Sequence, residues 1–133
     1  MRIRIPISVG ELVDKITILR IKRERLEDPD KRATVAHELA LLEERMEAAL
    51  ASDAELEALI ADLTAVNGEL WDVEEVLRRM EAAGTFGGEF IEAARRVYRL
   101  NDRRFTLKNR LSEKFGSDIR EQKSEIITSA DGS

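Results

Sequence analysis

The chain has 133 residues and no cysteine, which excludes disulfides, thiolate chemistry and Cys-type zinc sites. Charged residues make up 37% and aromatics 5%, with only 7 glycines and 2 prolines, a balance that favours long amphipathic helices over a sheet sandwich. A net charge of -5 disfavours a nucleic-acid partner, and no apolar run approaches the ~18 residues that a membrane span needs. The charge is unevenly spread: residues 1–27 carry +3, residues 28–87 carry -10 and residues 88–115 carry +4. Basic outer helices against acidic middle ones suit pairing within one bundle. The first nine residues have neither a long apolar core nor a small-residue cleavage site, so no signal peptide is read and a cytoplasmic location is expected.

Arg2 to Ile7 alternates polar and apolar residues, a short strand signal interrupted by Pro6. Ser8-Val9-Gly10-Glu11 has the form of a capping box and predicts a helix running to about Glu27. Leu12, Ile16, Leu19 and Leu26 form its main apolar stripe, while Ile18 and Ile21 lie away from it. A helix apolar on two sides is central in a bundle or part of an oligomer contact. Asp28-Pro29 ends this helix and caps the next, which is expected to reach about Ala51 with a narrow seam of Val35, Leu39, Leu42 and Met46. His37, the only histidine, falls opposite that seam and is expected to be solvated. Ser52-Asp53-Ala54-Glu55 reads as a second capping box, opening a helix to about Ala83 with Leu56, Leu59, Leu63, Val66, Leu70, Val73, Leu77 and Met80 at three-and-four spacing. Glu74 and Arg78 stand in the favourable order for an i,i+4 salt bridge. The Gly84–Gly88 turn lacks the Lys-Ser/Thr ending of a phosphate loop.

A fourth helix runs from Gly88 to a stop at Gly116. Its apolar arc includes Ile91, Val97, Tyr98, Leu100, Leu107 and Leu111, with Asn101, Arg104 and Lys108 inside the arc. A buried unpaired charge costs several kcal/mol, so these residues have partners or line a wet pocket. At ~1.5 Å per residue along antiparallel neighbours, Glu11, Asp14, Lys15, Asn67, Asn101, Arg104 and Lys108 reach similar heights and could share one polar layer. Two readings stay open: an ion-pair network that fixes helix register, or an anion pocket with Arg104 and Lys108 as binding charges and Glu11 or Asp14 as acid/base candidates.

Glu43-Glu44-Arg45-Met46-Glu47 followed by Glu69-Leu70-Trp71-Asp72 matches the EExxE…ExxD pattern of all-α nucleotide pyrophosphohydrolases. With 27 acidic residues in the chain such matches arise by chance, and these side chains fall on the polar faces of their helices. No metal site and no cofactor are therefore expected. Residues Pro6 to Leu19, Leu70-Trp71, Val97-Tyr98 with Asn101-Asp102-Arg103-Arg104, and Lys123-Ser124 resemble an uncharacterised family of short bacterial proteins, known only as a domain of unknown function. The resemblance spans nearly the whole chain, brings no activity with it, and places Glu11, Asp14, Lys15, Asn101 and Arg104 inside the family's motifs. Arg20 stands where an acidic residue is expected, which sets that position apart from the pattern.

The expected fold is an all-α antiparallel four-helix bundle over residues 1–128, with short strand-like ends (residues 125–128 being the second) and a disordered tail at 129–133. The expected function is a helical binding or assembly module, self-associating through its helix seams or holding an anionic small molecule. The alternative is a small all-α enzyme acting on an anionic metabolite or nucleotide.

Overall fold

A computed structural model describes residues 1–118 and 121–122. Four helices carry the chain: α1 (Val9–Arg25), α2 (Pro29–Ala49), α3 (Ala54–Ala83) and α4 (Gly88–Lys114). No strand forms among the described residues. Residues 2–7 run without regular structure and Ile3 is 79% exposed, because the alternating segment has no partner strand among the described residues to satisfy its backbone. The second expected strand, residues 125–128, and the expected tail at 129–133 lie outside the described residues.

The helix starts follow local capping chemistry. Ser8 Oγ accepts the Glu11 backbone N–H at 3.1 Å, and Asp28 caps α2 with Pro29 in its first turn. Neither capping box closes on its second half. Glu11 sends its carboxylate to Lys108 instead, and α3 is capped by Asp53 rather than Ser52. Just past the end of α4, Gly116 takes the left-handed region (φ +66°), where the N–H groups of Gly116 and Ser117 satisfy the carbonyls of Glu113 and Ser112.

α1 is the centre of the assembly. It packs against each of the other three helices, and among the described residues α2 approaches α1 alone. That is why α1 is apolar on more than one side: Ile16 and Leu19 join the core from its main stripe, and Ile21 is also buried. Leu39 of α2, Leu63 of α3 and Leu111 of α4 are fully buried with them, each contributing about 1.5–3 kcal/mol by leaving water. Two ion pairs hold α2 on α1, Lys15–Glu38 and Arg20–Glu43, both at 3.0 Å. α3 and α4 form a long antiparallel pair, marked by Arg96–Glu69 along its length and Lys114–Asp53 at one end.

Asp53 does two jobs there. One oxygen accepts the Leu56 N–H at 2.8 Å and the other takes Lys114 Nζ at 2.7 Å. The Lys114 bond is the main cause that holds the Asp53 carboxyl below its ordinary value, and the same bond raises Lys114. A lowered carboxyl contributes stability that is present above its unfolded-state value, about pH 4, and lost as pH falls through the lower folded-state value. The raised lysine contributes below its unfolded-state value, about pH 10, and that contribution is lost as pH rises through the folded-state value. Asp53→Asn keeps a capping oxygen but removes the charge. Its stability in urea is expected to lie below wild type at pH 7 and to converge on it in acid, below the ordinary carboxylate range, as the native aspartate protonates. A constant gap down to about pH 2 would place the effect in cap geometry instead.

Candidate polar layer and flanking groove

Gly10 sets the distance between α1 and α4. A Cβ built there would lie 2.3 Å from the carbonyl oxygen of Lys108, so only glycine allows this approach. The Gly10 N–H donates to Ser112 Oγ at 3.0 Å, and the Val9 N–H to Ser117 Oγ at 3.2 Å. One turn along α1, Asp14 is 3% exposed and faces both α3 and α4. Arg104 grips it side-on, Nε to Oδ1 at 2.9 Å and Nη2 to Oδ2 at 2.5 Å. Asn67 donates to Asp14 Oδ1 and to Thr17 Oγ1, both at 2.9 Å, while Thr17 donates to the Asp14 carbonyl at 2.7 Å. Every polar side-chain atom buried among the described residues has a partner. The Asp14 bond is the main cause that raises Arg104 above its ordinary value, so this cation stays charged throughout the working pH range.

Lys108 lies one turn further along α4 and is also buried. Its Nζ meets Glu11 at 2.6 Å and Glu121 at 2.7 Å. Burial alone would lower the lysine, but the bonds from Glu11 and Glu121 outweigh it and raise the value. A cleft of about 410 Å³ opens here, lined by Asn101, Asp102, Arg104, Phe105, Lys108 and Glu121, with Gln122 at its edge. Its two cations already face carboxylates, so an added anion would meet no unneutralised charge.

The seven residues of the expected layer therefore divide. Asp14, Asn67 and Arg104 meet in one buried network, and Glu11 and Lys108 pair beside it. Lys15 is not in the layer: it is exposed on the α2 side of α1, bound to Glu38. Asn101 is exposed at the cleft mouth, since the buried face of α4 is centred on Leu100, Leu107 and Leu111, and this rotation also leaves Ile91 and Tyr98 each 56% exposed.

A second cavity, about 230 Å³, lies between α1, α3 and α4. Ile18, Ile21, Leu70 and Trp71 supply apolar wall; Asn67 and Arg104 reach it from the polar layer; Lys22, Glu74 and Arg78 bring charges. The expected Glu74–Arg78 salt bridge does not form. Among the described residues, Lys22, Glu74 and Arg78 make no ion pair or side-chain hydrogen bond. Sequence reasoning missed this groove because Lys22 and Arg78 look like ordinary surface residues until α1 and α3 are laid side by side. The signal available was Ile18 and Ile21, off the main stripe, and Asn67, Glu74 and Arg78 along one edge of α3 near Trp71.

Three of the five carboxylates of the EExxE…ExxD pattern are held by three different arginines. Glu43 pairs with Arg20, Glu69 with Arg96 and Asp72 with Arg25. His37 is exposed. No helix is long and apolar enough to cross a membrane among the described residues. The chain belongs to a family of unknown function, DUF6165, whose profile matches residues 3–131. No curated protein and no solved structure matches it.

Proposed function

We propose that this member of a family without assigned activity is a cytoplasmic helical binding module that takes a small anion in the groove between α1, α3 and α4. The observation that carries the reading is the pair of unpartnered cations, Lys22 and Arg78, lining a cavity whose remaining cation, Arg104, is held rigidly by Asp14. Lys22 sits in the last turn of α1, where the helix dipole favours a cation; Arg78 lies inside α3, where no dipole accounts for it. A few charged groups beside an apolar wall suit a small-ligand site.

Trp71 is the only tryptophan and lines the groove, so its emission reports occupancy. Titration with phosphate, nucleotides and carboxylates, with and without magnesium, is expected to change that emission, and Lys22→Met/Arg78→Met is expected to abolish the change. Silence across the panel at millimolar concentration would overturn the reading. One observation favours the alternative, a small all-α enzyme acting on an anionic metabolite or nucleotide: the unpaired Glu74 carboxylate stands in the same groove as an available acid or base. Turnover lost in Glu74→Gln with binding retained would establish it. The exposed Phe86, Ile91 and Tyr98 on the α3–α4 pair support self-association as well; light scattering that finds a strict monomer at micromolar concentration would exclude it.

A further inference from the structure

We infer that the groove selects a flat apolar molecule bearing a single carboxylate or phosphate, an inference that rests on the anion-binding reading and adds the class of ligand. Three observations carry it. The first is division of the wall: Ile18, Ile21, Leu70 and Trp71 are apolar, while the cations Lys22 and Arg78, which outnumber the one carboxylate, Glu74, line the same space. A bare inorganic anion would satisfy the cations and leave the apolar wall in contact with water. The second is rigidity. Arg25 lies over the Trp71 ring, 6.0 Å from its centroid, and is itself anchored to Asp72 at 2.6 Å. The indole N–H donates to Glu75 at 2.9 Å. Arg25 over one face and the N–H bond restrain the ring, so a planar ligand can pack against it with less ordering to do. The third is size. An engineered cavity of about 150 Å³ admits benzene, so about 230 Å³ has room for one ring with one charged group.

The test uses the full chain, follows Trp71 emission, and compares matched pairs: phenyl phosphate against inorganic phosphate, and benzoate against acetate. The aromatic member of at least one pair is expected to bind at least about tenfold more tightly than its inorganic or aliphatic partner, the gain from covering a ring's apolar area. Which pair shows the larger gain separates a phosphate ligand from a carboxylate. Trp71→Phe, read by calorimetry because it removes the reporter, is expected to retain most of that preference, and Trp71→Ala to lose it. Equal affinity within both pairs would overturn the ligand class while leaving the anion-binding reading standing. No binding by any of the four would overturn both. Aromatic anions that bind undiminished to Lys22→Met/Arg78→Met would also overturn the proposal, because the site would then lie elsewhere.

Discussion

Arg104→Met is expected to lower stability by about 3–5 kcal/mol, the usual loss when one partner of a buried ion pair is removed, and to lower the melting temperature by roughly 10–20 °C for a domain of this size. The reason is Asp14. Its side chain is 4% exposed, and of the three side-chain hydrogen bonds its carboxylate accepts, two come from Arg104. Methionine fills much of the volume but leaves a buried carboxylate facing only Asn67. Asp14→Asn/Arg104→Met is expected to recover most of the loss, since asparagine can still accept from Asn67 and carries no charge. Urea denaturation of the two single variants and the double measures the coupling, expected within about 0.5–3 kcal/mol. Additive losses would mean that the two side chains do not act as a pair.

Gly10→Ala is the second large effect, and two physical terms oppose each other in it. Alanine gains up to about 1 kcal/mol of helix propensity over glycine. Against this, its Cβ would stand 2.3 Å from the Lys108 carbonyl oxygen and 2.8 Å from its carbon, backbone atoms that no rotamer change can move. Relief needs α1 to retreat from α4 by about 1 Å, and such overpacking costs typically about 1–3 kcal/mol. The retreat also lengthens the Asp14–Arg104 contact one turn away, so the packing term should win and the melting temperature should fall by about 4–10 °C. Gly68→Ala is the internal control. Its Cβ meets only Arg25 Nη2, at 3.7 Å, so the propensity gain should appear there alone, as a stabilisation of about 0.5–1 kcal/mol. A Gly10→Ala protein as stable as wild type would show that the close approach is not needed.

The four helices were legible because three-and-four spacing and capping residues are local properties. The Asp28-Pro29 boundary and the Gly116 stop needed no tertiary information. The alternating N-terminal segment forms no strand, because alternation specifies one only where a partner lies alongside, and none does among the described residues. In the polar layer, Asp14, Asn67 and Arg104 could be brought together from helix heights alone. Lys15 and Asn101 could not be separated from them that way, since height fixes position along an axis and rotation about it depends on packing. The same limit hid the groove. Arg78 was assigned to Glu74 on spacing, yet both side chains are unpartnered and face the cavity beside Lys22, from a helix more than fifty residues away in the chain.

The division between a structural network at Asp14–Arg104 and a binding groove at Lys22 and Arg78 is tested most directly by urea unfolding of Arg104→Met beside Lys22→Met/Arg78→Met at pH 7. Among the described residues neither Lys22 nor Arg78 has an ion pair to lose, and the helix-end charge of Lys22 contributes only about 0.3–1 kcal/mol, so the double variant is expected to match wild type within about 1 kcal/mol or exceed it, while Arg104→Met loses several. A double variant that loses as much as Arg104→Met would make Lys22 and Arg78 structural, and an Arg104→Met protein as stable as wild type would remove the network; either result contradicts the account.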